Sequence, residues 1–188
     1  MIISDYVKSV VAVMMGEIAF HKLPNEKGIF CYMEKQVGYE ICRKALDLSW
    51  EWIERKNINE IDPWSFCCYL DDENGIDLIE YERDATEAGD EVSENIYGIM
   101  NCIILYIAYQ AFEKAGEKYL PEYLYGIDDE FYVEGILHYS TKIKDCKFCE
   151  ILDYCNKELK KNSNYIFHKE EMINTFLQDC QRTPVEPL

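Results

Sequence analysis

Residues 95–112, NIYGIMNCIILYIAYQAF, decide the fold. They lie within a helical pattern that runs from about 92 to 115, and they are apolar almost all round. A helix with one apolar stripe rests on a surface, whereas one that is apolar on every side must be enclosed. This stretch is therefore expected to be the central helix, and the rest of the chain must supply what covers it. AGEKYLPEYLYG, residues 115–126, ends it with Gly and Pro.

Working outward, the flanking segments also have helical period. Ile3, Val7, Val10, Val11, Met14 and Ile18 make one apolar face over residues 3–18. HKLPNEKG then breaks the chain. The next helix, about 28–56, has two seams. Phe30, Met33, Val37, Ile41, Ala45, Leu48 and Trp52 form one, and Tyr39, Cys42, Leu46, Trp50 and Ile53 the other, so both of its sides should be packed. NINEIDP is a linker whose Asp62 is a good N-cap, with Pro63 set for the first position of a short helix in PWSFCCYL. DDENG reads as a turn. A helix resumes near Ile76 and runs to about Ala88, with Gly89 as its candidate break. Further helices are expected at about 128–142, 145–161 and 169–181. NYIFH, residues 164–168, is rich in strand formers but has no obvious partner.

These elements predict an all-α fold, a single-domain multi-helix bundle of about seven to eight helices over residues 1–182, with a frayed tail at 183–188. A chain of 188 residues can bury roughly 70% of its unfolded surface, so it needs neither disulfides nor metal to fold. At 48% hydrophobic and 14% aromatic it is not a disordered composition. The nine cysteines are an odd number scattered through apolar periodic segments, which fits reduced, buried thiols in a cytoplasmic protein. The N-terminus carries Asp5 and Lys8 within its apolar run and lacks a basic leader region, so no secretion signal is expected.

The formal net charge is −17, and residues 71–94, DDENGIDLIEYERDATEAGDEVSE, hold eleven carboxylates and one base. A chain this acidic is repelled by nucleic acid and by anionic membranes, and its electrostatically favoured partners are cations or basic proteins. The acids are ordered. Asp77, Glu80, Asp84, Glu87, Glu91 and Glu94 recur at spacings of 3, 4, 3, 4 and 3, beside an apolar stripe of Leu78, Tyr81, Ala85, Ala88 and Val92. A break at Gly89 shortens the aligned stripe to residues 77–87. Each like-charge pair costs an isolated helix about 0.2–0.5 kcal/mol, so four or five cost on the order of 1–2 kcal/mol. A merely solvated face needs no such uniformity, which leaves two readings, a solvated face and a docking surface for a basic partner.

Catalytic and metal motifs are missing. An EF-hand aligned on Gly75 would need carboxylates at Leu70 and Tyr81. The CKFC pair, Cys146 and Cys149, lacks a second close pair of ligands for zinc. Glu17 and His21, like Glu134 and His138, are four apart where a di-iron bundle needs three. No nucleophile elbow, phosphate loop or dinucleotide fingerprint occurs. No enzyme, metal or cofactor is expected.

RKALDLSWEWIERKN, residues 43–57, places an Ala-Leu-Asp segment and a Trp-x-Trp pair near the end of a long helix. LPNEKGIF precedes that helix and the acidic helix follows it. Over about residues 10–115 this pattern resembles the all-helical immunity proteins of bacterial polymorphic toxin systems, in particular the sixth immunity family, and a related group of uncharacterised all-helical bacterial proteins. The resemblance implies a non-enzymatic inhibitor that binds the toxic C-terminal domain of a cognate effector in the cytoplasm. It brings no catalytic residues with it. The acidic face suits such a partner if the toxin is a nuclease with a basic cleft. The candidate contact residues are Asp71, Asp72, Glu73, Asp77, Glu80, Tyr81, Asp84, Glu87, Glu91 and Glu94, with a second patch at Asp128, Asp129 and Glu130. Tyr81, Tyr123 and Tyr125 are expected to be exposed aromatic anchors within it. Two alternatives stay open: a small helical enzyme or metal-binding protein with an unrecognised site, and an acidic adaptor for another basic protein. The sequence leaves the oligomeric state open.

Overall fold

The computed structural model describes residues 4–22, 35–54, 61–70, 78–127, 129–142 and 147–177. They form eight α-helices: α1 (Asp5–Lys22), α2 (Lys35–Ile53), α3 (Trp64–Cys67), α4 (Leu78–Ala88), α5 (Glu91–Ala115), α6 (Asp129–Lys142), α7 (Phe148–Lys161) and α8 (Lys169–Phe176). A 3₁₀ turn at Glu122–Leu124 follows α5, and no strand occurs among the described residues. The fold is all-α, as the periodicity requires. The expected turn at 71–75 and tail at 183–188 lie outside the described residues.

The apolar stretch 95–112 becomes the body of α5. Helices α1, α2, α3, α4 and α6 all pack on it. Ile99, Met100, Ile103, Ile104, Tyr106, Ile107 and Phe112 lose all contact with solvent. By length and composition alone α5 could cross a membrane, but most of its apolar window is buried inside the fold. Asp90 caps its start, accepting from the backbone N–H of Ser93 at 3.1 Å.

Helix α1 departs from the one-faced reading. Residues 7–20 are buried on every side, between α5, α2, α6, α7 and α8. Gly16 marks its closest approach: a Cβ there would come within 2.7 Å of both Ile103 Cδ1 and Leu46 Cδ2. The structure therefore has two enclosed helices, crossed at a glycine. The run VVAVMM supplies apolar side chains all round the helix, which a count of one stripe passes over.

Inside this apolar helix sits Glu17, with no exposed surface. A buried carboxylate without partners would cost several kcal/mol. Arg43 of α2 forks onto it, with Nη1 donating to Oε2 at 2.8 Å and Nη2 to Oε1 at 2.6 Å. The Trp50 indole N–H donates to Oε1 at 2.9 Å. The guanidinium also lies over the Phe20 ring, 4.9 Å from its centroid. Three donors from α2 thus satisfy one acceptor on α1.

The two seams of α2 are real. Ile41, Ala45 and Trp52 are buried on one side and Cys42, Leu46, Trp50 and Ile53 on the other, so both tryptophans belong to the core. Leu48 is half-buried. Phe30, Met33 and the side chains of Val37 and Tyr39 lie outside the described residues. At α3, Asp62 Oδ1 accepts from the backbone N–H of Trp64 at 3.1 Å, the expected start. Gly89, at φ 71°, breaks the chain between α4 and α5, since this left-handed conformation strains any residue with a Cβ. The strand-like NYIFH forms no strand: Asn164 lies in a turn and residues 165–168 have no regular structure. Phe167 instead plugs the core, with the rings of Tyr6, Tyr154 and Tyr165 5.0–6.4 Å away. Cys42, Cys67, Cys102 and Cys155 are buried free thiols, and burial pushes Cys42, Cys102 and Cys155 up to about 12. Cys68 and Cys149 are exposed. Cys31, Cys146 and Cys180 lie outside the described residues.

Removing Arg43 strands the buried charge of Glu17. Arg43→Met is expected to cost roughly 3 kcal/mol of stability, read from urea midpoints, and the double change Glu17→Leu/Arg43→Met to cost less than Arg43→Met alone.

Candidate protein-binding surface

The acidic helix α4 folds back on α5 as an antiparallel pair. The Leu78 carbonyl accepts from Asn101 Nδ2 at 3.1 Å, and Tyr81 stacks on Tyr97 with ring centroids 5.2 Å apart. Leu78, Tyr81 and Ala85 are the buried face of α4. The apolar stripe ends there, because Ala88 and Val92 beyond it are exposed.

One carboxylate of the run turns inward. Glu82 accepts from Asn101 Nδ2 through one oxygen and from the Tyr139 hydroxyl of α6, at 2.6 Å, through the other. This clasp ties α4 to both α5 and α6 and fixes the roll of α4 about its axis. Burial, and then the bond and charge of Glu82, raise the Tyr139 phenol well above its ordinary value.

With Glu82 inward, Glu80, Asp84 and Glu87 lie on the other side. Glu87 is exposed and the other two are partly so. Arg83, the one base of the run, stands among them and donates to Glu80 Oε1 at 2.9 Å. Glu91 and Glu94 do not extend the stripe. The break at Gly89 puts them in the first turn of α5, where the helix dipole favours a carboxylate by about 0.3–1 kcal/mol. Two like-charge pairs, Glu80 with Asp84 and Asp84 with Glu87, remain on α4. Their cost is about 0.4–1 kcal/mol, partly offset by Arg83. The self-repulsion is thus milder than the continuous stripe implied.

Tyr81 was expected to be an exposed anchor, and the structure corrects this. At 4% exposed it belongs to the apolar stripe that it shares with Leu78 and Ala85 and is not an exposed aromatic. Tyr125 is 66% exposed, as expected, and Tyr123 is half-buried. Asp71, Asp72, Glu73, Asp77 and Asp128 lie outside the described residues. Asp129 and Glu130 open α6, but their side chains are outside the described set as well. Residues that the sequence reading passed over are Glu82, Trp64, 49% exposed, and Tyr119, 80% exposed. Glu82 had a signal: it falls between Leu78 and Ala85 on the helix, closer to the apolar stripe than to the acidic one.

Glu80, Asp84 and Glu87 can accept hydrogen bonds and attract cations, and they have no nucleophile or imidazole among them. Among the described residues no group of three or more His, Cys, Asp or Glu is placed to hold a metal ion. The family model described as Immunity protein Imm6 matches residues 18–146, more than half of the chain. The match runs from the last turn of α1 through α6, so it includes the whole of α4 and its clasp. No curated protein and no solved structure matches the chain.

The raised Tyr139 phenol sets a pH dependence. The folded state holds the neutral phenol, so its contribution is complete below the ordinary value of 10.0 and is lost as pH rises above it. Tyr139→Phe is expected to lower stability by about 1 kcal/mol at pH 8 and to flatten the loss between pH 10 and 11, both read from urea midpoints across the pH series.

Proposed function

Since the chain belongs to the Imm6 family of immunity proteins, we propose that it binds and neutralises the toxic domain of a cognate polymorphic or contact-dependent toxin in the cytoplasm of the producing cell. The observation that carries this reading is the family match over residues 18–146. The geometry of α4 supports a mode of action. Glu80, Asp84 and Glu87 stand away from the core on a helix clamped by Glu82, so the acidic face is rigid before a partner arrives. A preorganised face loses little entropy on binding.

In this reading the partner surface is basic. A toxin that cleaves nucleic acid needs a positive cleft for phosphates, and an acidic helix can occupy that cleft in place of the backbone. The net charge of −17 adds long-range steering, which speeds encounter with a basic partner and disfavours nucleic acid and anionic membranes as alternatives. The inhibitor acts by occupancy and needs no chemistry of its own, hence no cofactor.

The test uses the C-terminal domain of the protein encoded immediately upstream. Wild-type chain should bind that domain and rescue cells that express it. The triple change Glu80→Lys/Asp84→Lys/Glu87→Lys should slow association roughly tenfold at low salt and flatten its dependence on ionic strength. Association rates that are equal for the two proteins across the salt series would remove α4 from the interface.

A further inference from the structure

Helices α5 and α6 cross through two glycines that the helical backbone does not require. Gly98 lies inside α5 and Gly135 inside α6, and neither has the positive φ of Gly89, Gly116 and Gly126. Glycine in a helix interior is less favourable than alanine, so something must exclude the methyl group. At Gly98 it is the ring of Tyr139: a Cβ there would stand 2.3 Å from both Cε1 and Cζ. At Gly135 it is Cys102, whose Sγ would lie 2.8 Å from an added Cβ. Tyr139 follows Gly135 by four residues, and Cys102 follows Gly98 by four. Each helix therefore offers a notch and, one turn on along the same face, a side chain that fills the notch of the other. Because Gly98 meets Tyr139 and Cys102 meets Gly135, the two helices run antiparallel where they cross.

The notch at Gly98 also opens onto α4. The same Cβ would come within 2.9 Å of Glu82 Oε1, the oxygen that accepts from the Tyr139 hydroxyl at 2.6 Å. Asn101, three residues further along α5, holds the other oxygen of Glu82. The bond from α6 to α4 thus passes over the bare backbone of Gly98. A methyl group at either notch would displace Tyr139. At Gly98 it would meet the ring itself, which is rigid and cannot fold aside. At Gly135 it would press on Cys102, which is buried in the close-packed interior and has little room to turn, so α6 would be pushed off α5 and would carry Tyr139 with it.

We propose that Gly98, Gly135 and Cys102 are positioning residues for the acidic face of α4. The paired notches set the depth at which Tyr139 sits, Tyr139 holds Glu82, and Glu82 keeps Glu80, Asp84 and Glu87 turned outward. The orientation of the surface row is controlled from α6, a helix that carries none of those three acids. All of these residues lie inside the family-matched stretch. A role for this positioning in inhibition rests on the reading of α4 as the toxin-facing helix, whereas the positioning itself does not.

Amide hydrogen exchange in the full chain tests the positioning. Tyr139→Phe breaks the bond to Glu82 and leaves both notches filled, and it should speed exchange in α4 roughly tenfold relative to α7. Gly135→Ala, whose added methyl meets Cys102 and nothing of α4, should do the same. Gly135→Ala/Cys102→Ala removes the sulfur in the way and should restore wild-type exchange. A purely structural role would speed exchange in every helix alike. That result, wild-type exchange of α4 in Tyr139→Phe, or failure of Cys102→Ala to repair Gly135→Ala would each overturn the positioning role, and Tyr139→Phe decides alone if Gly135→Ala does not fold. These variants keep every surface charge, so with the upstream-encoded C-terminal domain they should associate at the wild-type rate and dissociate about tenfold faster. Wild-type dissociation would overturn the role in inhibition. Failure of the wild type to bind that domain would overturn the toxin-binding reading and leave the exchange result standing.

Discussion

The carboxylate of Glu17 is the constraint on which the rest of the arrangement depends. It sits in the middle of a helix that is buried on every side, where an unpaired charge would be intolerable. Its hydrogen-bond donors among the described residues come from α2, seven residues apart. Arg43 and Trp50 must both point at α1, so α2 has a single permitted roll. That roll carries consequences outward. Asp47, one turn from Arg43, comes to the surface beside it, and Glu51 and Glu54 follow along the same edge. Lys169 then docks α8 against Asp47 and Glu54. A buried ion pair is a poor source of net stability, but it is intolerant of misalignment. Here that intolerance sets the position of Asp47, which bonds to Arg43, and of the groups that follow it along the edge of α2.

The same device recurs at α4 on a smaller scale. Glu82 faces inward from a crowded acidic segment, and its two partners come from two other helices. Burial of Leu78, Tyr81 and Ala85 would define the inner face only loosely, because alanine and a flat aromatic ring tolerate some rotation. The hydrogen bonds to Asn101 and Tyr139 remove that freedom. The outward carboxylates are thus held by an inward one. Of these, Asp84 and Glu87 bind no other helix among the described residues, so they can change without disturbing the fold.

The acidic surplus is also distributed more economically than its linear density suggests. The helix break at Gly89 separates Glu91 and Glu94 from the α4 row and gives them a favourable place at the start of α5. Arg83 stands inside the remaining row, next to Glu80. Among the described residues of this segment, what survives as a charged surface is Asp84, Glu87 and the charges toward the α5 start.

Much of the fold was legible along the chain, because it depends on local period and punctuation. The enclosure of α5 follows from apolar residues at every angle, the start of α3 from Asp62 and Pro63, the end of α4 from Gly89, and α6, α7 and α8 begin within about three residues of where the pattern put them. The outward set of acids on α4 was legible for the same reason. Pairings between distant helices were not. Charge type alone does not distinguish Glu82 from Glu80, and which of them is tied to the neighbouring helices was decided by Asn101 and Tyr139, 19 and 57 residues away. Tyr81 reads equally well as core or anchor until Tyr97 stacks on it. Glu17 meets Arg43 across 26 residues, and Lys169 meets Glu54 and Asp47 across more than a hundred. The sequence by itself determined the helices and the sign of the surface, since both are sums over neighbouring residues. Only the tertiary structure decided which carboxylates tie helices together and which stay on the surface, since that depends on donors brought together by packing.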